Sequence, residues 1–188
     1  MKKWFANLLF KLYGWKLVGQ VPADIKKFVL IAAPHTSNMD FFLAMPTMWS
    51  LNVPGKYLIK REHTDAFYGS LIKAMGGIGV DRKNQSKDFV TELNDIFASY
   101  PEMVMLFTPE GTRKSVKKWK TGFYRVATAV NVPIVLAYAD YALKEVHIGH
   151  VFHPTGDFVK DFEYMEDFFK NITAAHPNDY NPVIFERK

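Results

Sequence analysis

The chain of 188 residues contains no cysteine. It can therefore form no disulfide bond and no cysteine-ligated zinc site, and a thiolate cannot serve as its nucleophile. The sequence also lacks any run of about 18 consecutive apolar residues, the length that predicts a membrane-spanning helix. Lys11 and Lys16 interrupt the apolar part of the N-terminal segment, and no small-residue cleavage site follows. We therefore expect neither a transmembrane helix nor a signal peptide.

Motifs of several common enzyme classes are missing as well. The sequence has no Gly-x-Ser-x-Gly, the turn that exposes the nucleophile of many serine hydrolases. It has neither the Gly-x4-Gly-Lys-Ser/Thr loop of nucleotide-binding P-loops nor a Gly-x-Gly-x-x-Gly after a predicted strand. These absences disfavour a serine hydrolase, a P-loop enzyme and a dinucleotide-binding enzyme.

His147, His150 and His153 form the group of residues that most resembles a metal site. On a regular strand, successive side chains point to opposite faces, so His147 and His153 would share one face and His150 the other. We therefore expect no metal site here.

The composition is typical of a globular protein, with 48% hydrophobic and 23% charged residues. At this length we expect a single domain over residues 1–188. Aromatic residues make up 15% of the chain, which indicates apolar surface beyond the needs of a core, such as a membrane-facing surface or a lipid groove. The formal net charge of +5 favours anionic partners, among them anionic lipids, phosphorylated substrates and nucleic acids.

Residues 1–14 are predicted to form an amphipathic helix. The apolar residues recur at helical spacing, whereas Lys2, Lys3 and Lys11 lie off that face. The apolar set comprises Trp4, Phe5, Leu8, Leu9, Leu12 and Tyr13. Basic residues beside such a face are typical of a helix that lies in a membrane interface, but the same face could pack on the protein's own core. The sequence supports both interpretations equally.

Apolar strands and helices alternate along most of the remaining chain. Strands are predicted at residues 15–21, 28–33, 57–59, 78–80, 103–107, 132–136 and 146–152, and helices at 40–51, 65–75, 86–99, 121–130 and 160–175. This alternation predicts an α/β fold, with a largely parallel sheet flanked by helices and preceded by the N-terminal amphipathic helix.

Polar side chains follow three of the predicted strands. The pairs are His35 and Asp40, Asp81 and Arg82, and Glu110 and Arg113. Because the carboxyl ends of parallel strands meet at one edge of a sheet, and because open α/β sheets bind ligands at that edge, we expect these segments to converge on one crevice.

His35 and Asp40 are five positions apart, so on one regular helix their side chains would point about 140° apart. They can meet only if the loop folds back and Asp40 lies near the start of the following helix. A carboxylate that holds a histidine in this way is typical of a general base. In the alternative interpretation, His35 is an ordinary loop residue and Asp40 a helix cap.

The arginines suggest an anionic ligand. Guanidinium groups such as those of Arg82 and Arg113 suit phosphate or carboxylate, although either residue could instead form an ordinary surface ion pair. Glu110 lies in a tight turn in which Gly111 permits close backbone approach. Glu110 could also be structural and hold one of the arginines in place.

Taken in order, four segments resemble the sequence blocks of the glycerolipid acyltransferase family, and the closest type is the lysophosphatidic acid (1-acylglycerol-3-phosphate) acyltransferase. They are His35-x4-Asp40, Gly-Gly-Ile-Gly-Val-Asp-Arg at 76–82, Thr-Pro-Glu-Gly-Thr-Arg at 108–113 and Val-Pro-Ile at 132–134. The resemblance spans roughly residues 15–155. It departs from the family pattern at Thr108, where phenylalanine is usual, and at Lys114, where a small residue is usual.

The resemblance implies transfer of a fatty acyl group from coenzyme A or acyl carrier protein to the hydroxyl of a lysophospholipid-type acceptor, in phospholipid biosynthesis. It implies that His35 is the general base and that Asp40 is its partner. Acceptor binding is implied for Lys60, Arg82, Glu110, Gly111, Thr112 and Arg113. The acyl thioester is itself a substrate, so no cofactor is expected.

We accordingly expect a cytoplasmic enzyme that is peripheral on the inner face of the membrane and contacts the lipid surface through residues 1–14. Acyl carrier protein is one candidate partner. The alternative is a non-catalytic, peripheral lipid-binding protein that uses the same basic groove. Nucleic-acid binding rests only on the net charge and the cluster of Lys117, Lys118 and Lys120, and we do not expect it.

Overall fold

A computed structural model describes residues 2–51, 55–80 and 87–185 of the chain. The helices are α1 (Lys2–Tyr13), α2 (Met39–Ser50), α3 (Arg61–Asp65), α4 (Gly69–Ala74), α5 (Lys87–Ala98), α6 (Gly122–Ala129) and α7 (Phe158–Phe169), and a short 3-10 turn spans Pro177–Asp179. The strands are β1 (Lys16–Val18), β2 (Lys27–Ala32), β3 (Gly55–Lys60), β4 (Gly77–Val80), β5 (Met103–Phe107), β6 (Ile134–Asp140) and β7 (Glu145–Phe152).

The described strands form one seven-stranded sheet in the order β1-β7-β6-β2-β5-β3-β4. Five neighbouring strands, from β6 to β4, run parallel to one another. Strand β7 is antiparallel to β6, and β1 is parallel to β7. The predicted α/β fold with a largely parallel sheet, flanking helices and an N-terminal helix is therefore confirmed. The carboxyl ends of β2, β3, β4, β5 and β6 all lie at the same edge.

Strand β2 lies near the middle of the sheet and is apolar on both faces. Val29 and Ile31 point to one face, where they pack with residues of α5, α6 and α7. Phe28 and Leu30 point to the other face and pack with Met48 of α2. A continuous apolar run is what a parallel strand covered by helices on both sides requires.

The register of the sheet places α3 and α4 on the same face as α2. Gly77 of β4 pairs with Tyr57, Tyr57 with Leu106, and Leu106 with Leu30, so these four positions point to one face. A β-carbon at Gly77 would overlap Ile72 of α4. Glycine in β4 therefore lets this helix approach the strand closely.

The helix predicted over residues 65–75 is shorter, since α4 covers only Gly69–Ala74, and a separate short helix, α3, ends at Asp65. The chain turns between them, where the N–H of Gly69 donates to the carbonyl of Ala66 at 2.8 Å. A β-carbon at Gly69 would overlap the backbone of Thr64, so the close return of the chain at this point needs glycine.

Helix α1 packs on α2 but buries only a narrow part of its apolar surface. Ala6 and Phe10 are buried. Trp4 and Leu12 are 70% and 71% exposed, and Phe5 and Tyr13 are also exposed. One side of α1 therefore packs on the protein's own core, and the other side is exposed. Within the described residues, no helix has both the length and the apolarity to cross a membrane.

The expectation that His147 and His150 face opposite sides of β7 is wrong. Leu136 of β6 pairs with His150 of β7, but the next residue, Ala137, pairs with Ile148. Gly149 is therefore an extra residue in β7, which forms a bulge. This bulge turns both histidine rings onto Phe168, at centroid distances of 6.1 and 4.7 Å. Among the described residues, no group of three or more histidine and carboxylate side chains could hold a metal ion.

Candidate active site

His35 and Asp40 meet at the carboxyl end of β2. Asp40 is the second residue of α2, and His35 lies in the loop before that helix. The loop folds back so that His35 Nδ1 lies 3.0 Å from Asp40 Oδ2. The two side chains are 24% and 11% exposed, so the contact is largely shielded from water.

The Asp40 carboxylate accepts three further hydrogen bonds. The backbone N–H groups of Thr36 and Ser37 donate to Oδ2 at 2.9 Å each, and the hydroxyl of Tyr141 donates to Oδ1 at 2.6 Å. Burial alone raises the pKa of Asp40, but the bonds from His35, Tyr141 and Ser37 outweigh it and hold that pKa below its ordinary value.

The ionised Asp40 determines which ring nitrogen of His35 is available. A carboxylate can only accept, so Nδ1 of His35 must carry the proton in this contact. In the neutral ring Nε2 then has the lone pair. His35 lines the cleft described below.

Glu110 fixes the same loop from the other side. Its side chain is 6% exposed, and its Oε1 accepts the backbone N–H of His35 at 3.0 Å. Its Oε2 is buried with no hydrogen-bond partner among the described residues. Burial therefore raises the pKa of Glu110 above its ordinary value. Glu110 thus holds the backbone of His35, whereas the sequence suggested that it could hold an arginine.

The segment after β5 places Arg113 beside the His35 loop. Arg113 is exposed, lines the cleft and donates from its guanidinium to Oδ1 of Asn38. Gly111 has a φ of +68°, a conformation that glycine adopts without strain, and a β-carbon there would lie 2.8 Å from Lys120 Nζ. Thr112 also lines the cleft and accepts the N–H of Lys114 at 3.3 Å.

Of the remaining predicted site residues, Lys60 is described and Arg82 is not. Lys60 is the last residue of β3 and is exposed, and it is not among the described residues that line the cleft. Arg82 and its neighbour Asp81 lie outside the described residues. Lys114, noted as a departure from the family pattern, forms an ion pair with Asp179 at 3.0 Å.

Sequence reasoning missed Tyr141. It follows the last residue of β6, so the same strand-end rule that led to His35 and Glu110 would have found it if β6 had been extended to Asp140. The ring of Trp15 packs edge to face on Tyr141 at 4.9 Å, and the N–H of Tyr141 donates to the carbonyl of Thr173 at 2.9 Å. These contacts fix the hydroxyl that reaches Asp40.

A cleft of about 1910 Å³ runs past these residues and has a basic and an apolar part. The basic side chains that line it are Lys56, Arg113, Lys118, Lys120 and Arg125. Apolar side chains from α2, β3 and the end of α4 include Phe41, Met45, Met48, Tyr57 and Met75. The basic side chains suit an anionic head and the apolar side chains an apolar tail, and His35 lines the same cleft.

The chain belongs to the acyltransferase family, whose family model matches residues 16–138. Its fold is similar to the crystal structure of the 1-acyl-sn-glycerophosphate (LPA) acyltransferase PlsC from Thermotoga maritima. That structure matches with a TM-score of 0.59 and 17% identity, over 90% of this chain and 75% of that chain. A comparison with curated proteins found no match. The predicted family and enzyme class are thereby confirmed, and the reaction class is acyl transfer.

We expect Tyr141→Phe to lower kcat for acyl transfer about tenfold and to leave KM nearly unchanged. The substitution removes one hydrogen bond to a charged group, worth about 1.5–3 kcal/mol, and so loosens Asp40 behind His35. Tyr141 is not among the described residues lining the cleft, so substrate binding should survive. Steady-state kinetics check this prediction, and an unchanged kcat in a folded variant would contradict it.

Glu110→Gln should change how stability depends on pH. The raised pKa means that Glu110 favours the folded state at low pH and that this contribution is lost as pH rises through the folded-state pKa. Glutamine does not titrate, and its oxygen can still accept the N–H of His35. The free energy of unfolding of the variant minus that of wild type should therefore be larger at pH 7 than at pH 4. Urea unfolding at both pH values measures this, and an identical difference at both would contradict it.

Proposed function

We propose that the chain transfers a fatty acyl group from an acyl thioester to the hydroxyl of a lysophospholipid-type acceptor, with His35 as the general base and Asp40 as the residue that orients it. Membership of the acyltransferase family supports the reaction class. The roles of His35 and Asp40 are inferred from the 3.0 Å contact between His35 Nδ1 and the ionised Asp40, beside a cleft lined by basic and apolar side chains.

The proposed reaction is a direct transfer. Nε2 of His35 takes the proton of the acceptor hydroxyl while the hydroxyl oxygen attacks the thioester carbonyl carbon. The tetrahedral intermediate collapses, the carbon–sulfur bond breaks, and the imidazolium returns its proton to the leaving thiolate. The products are an ester and a free thiol, so atoms and charge balance. The absence of cysteine excludes an acyl-cysteine intermediate.

Asp40 contributes most when His35 becomes charged. The imidazolium formed during attack donates its Nδ1–H to a carboxylate that is already ionised and held by three other donors. This arrangement stabilises the charge without any rearrangement of the protein, which is the property that makes fixed electrostatic groups effective.

The acceptor we propose is a 1-acylglycerol-3-phosphate or a related lysolipid. The guanidinium of Arg113 lines the cleft and is kept beside the His35 loop by Asn38, so it can hold the phosphate while His35 reaches a nearby hydroxyl. PlsC from Thermotoga maritima, which has a similar fold, is a 1-acyl-sn-glycerophosphate acyltransferase. Coenzyme A and acyl carrier protein are both suitable carriers of the acyl group.

The apolar part of the cleft suits the acyl chains. Helix α2 and strand β3 form its walls, with Met45 and Met48 on the helix and Tyr57 on the strand. Gly55, at the start of β3, lies against the side chain of Met48. Unbranched methionine side chains adapt to flexible chains more readily than branched ones.

We also propose that α1 attaches the enzyme to the inner surface of the membrane. Trp4, Phe5 and Leu12 remain exposed while Ala6 and Phe10 anchor the helix to the protein. Lys11 is exposed on the same helix and suits anionic headgroups.

We expect His35→Ala to lower the rate of thiol release about 100-fold or more, because general-base catalysis contributes about 10²–10⁴-fold. Asp40→Asn should also lower it strongly, since the amide cannot stabilise the imidazolium. The assay follows free thiol from acyl-coenzyme A in the presence of 1-acylglycerol-3-phosphate, and circular dichroism checks that the fold survives.

His153→Ala is the matched control, because this histidine is exposed and distant in sequence from the His35 loop. It should retain wild-type activity. Full turnover by folded His35→Ala would contradict the mechanism. Lipid binding by wild type with no turnover on either acyl carrier would instead support the alternative of a non-catalytic lipid-binding protein.

The membrane role of α1 is tested by Trp4→Ala combined with Leu12→Ala. Deletion of residues 1–14 is less suitable, because Ala6 and Phe10 belong to the core. The double variant should bind anionic vesicles about tenfold or more weakly, since each side chain loses buried apolar area. Vesicle co-sedimentation measures this, and unchanged binding would limit α1 to a packing role.

A further inference from the structure

The most exposed large apolar side chain among the described residues lies away from α1. Phe67, between α3 and α4, is 98% exposed. Leu71 of α4 is 62% exposed and Tyr68 is 38% exposed. The rings of Phe67 and Tyr68 meet edge to face at 5.1 Å. We call Phe67, Tyr68 and Leu71 the α3–α4 tip. At 98% exposure, Phe67 contributes almost nothing to the packing of the folded chain.

Hydrogen bonds fix the shape of the α3–α4 tip. The hydroxyl of Tyr68 lies 2.9 Å from His63 Nδ1. The hydroxyl of Thr64, which is buried, donates to the carbonyl of Arg61 at 2.8 Å. The N–H of Leu71 donates to the carbonyl of Tyr68 at 3.1 Å. The apolar side chains are therefore presented to the outside by an ordered turn.

The tip belongs to the same helical layer as α1 and α2. The glycines of β4 bring α3 and α4 against the sheet face that α2 also covers. Helix α1 joins that layer through α2, where the rings of Phe5 and Trp49 lie 6.1 Å apart. Exposed apolar side chains of this layer include Trp4, Leu12, Phe41, Phe42, Phe67 and Leu71.

This layer also contains the apolar part of the cleft. Phe41 lines it from the start of α2, and Met75 lines it from the end of α4. Phe41 is itself 39% exposed, and its ring packs against both Phe42 and Tyr57. Exposed apolar side chains therefore lie on α2 and α4, two helices of this layer that line the cleft.

The exposed apolar side chains of the tip, its flanking lysines and the net charge of the chain together favour an anionic lipid surface as the partner. Lys60 and Arg61 precede the tip and Lys73 follows it, and all three are exposed. Glu62 and Asp65 are the acidic residues of the same segment, and Arg61 also lies 3.8 Å from Glu92, so Lys60 and Lys73 are the basic residues that flank the tip outside this ion pair. The chain as a whole has a net charge of +5. Aromatic and leucine side chains flanked by basic residues are typical of segments that enter a membrane interface.

We propose that the α3–α4 tip inserts into the surface of an anionic bilayer as a second lipid contact in addition to α1. The two contacts would hold the apolar part of the cleft toward the membrane, so that a lysolipid can enter it from the bilayer. This inference rests on the proposed function for the identity of the lipid that enters, but membrane binding by the tip can be measured without turnover.

The test compares vesicle binding by wild type, by Phe67→Ala combined with Leu71→Ala, and by Val159→Ala combined with Val183→Ala. The control residues are 51% and 53% exposed, and neither lies in the layer of α1 to α4. On vesicles of phosphatidylcholine and phosphatidylglycerol, the tip variant should bind about tenfold or more weakly than wild type, and the control should bind normally. Equal binding by all three would overturn the proposal.

A label at the tip gives a second readout that does not depend on affinity. Because the chain has no cysteine, Phe67→Cys can be labelled at this single position with an environment-sensitive fluorophore. Emission should shift to shorter wavelength on vesicle binding and be quenched by nitroxide lipids, whereas the same label at Val159→Cys should not respond. An unresponsive label at residue 67 on vesicle-bound protein would overturn the proposal.

Activity measurements separate this inference from the proposed function. The tip variant should lose activity on a lysolipid embedded in vesicles and keep it on a short-chain, water-soluble acceptor. If wild type turns over no lysolipid but the label enters the bilayer, the proposed function fails and the lipid contact stands. If turnover is normal and the tip variant works equally well on vesicles, the lipid contact fails and the proposed function stands.

Discussion

The carboxylate of Asp40 is the group on which the candidate site depends. It receives hydrogen bonds from the ring of His35, from two backbone N–H groups of its own loop and from Tyr141. These donors keep Asp40 ionised although it is largely buried. An ionised Asp40 in turn fixes the orientation of His35 and the position of its proton. Glu110 completes the loop by accepting the backbone N–H of His35.

The parallel sheet explains why residues so far apart in sequence meet at one site. The carboxyl ends of β2, β5 and β6 meet at one edge, so His35, Glu110 and Tyr141 become neighbours without any long connection. The cleft at this edge is lined by basic side chains, most of them from residues that follow β5, and by apolar side chains of α2 and β3. A phosphate-bearing lipid needs both, and the fold supplies them from different elements.

Much of this arrangement could be predicted from local sequence. Apolar runs followed by His35 and by Glu110 identified two strand ends, and the parallel pattern implied that they converge. Tyr141 could not be found in this way, because the full length of β6 depends on pairing with β7, which is not visible in local periodicity. The bulge at Gly149 reverses the expected sides of His147 and His150 for the same reason. Which side of α1 is buried likewise depends on its contact with α2.

The proton position on His35 is the most direct test of how the site works. Nitrogen-15 NMR of the histidine ring, at a pH where the imidazole is neutral, distinguishes a proton on Nδ1 from one on Nε2. We expect wild type to show the Nδ1–H form with a strongly hydrogen-bonded proton, and Asp40→Asn to lose that preference. A proton on Nε2 in wild type would contradict this, since His35 would then have no lone pair facing the cleft with which to accept the proton of a bound hydroxyl.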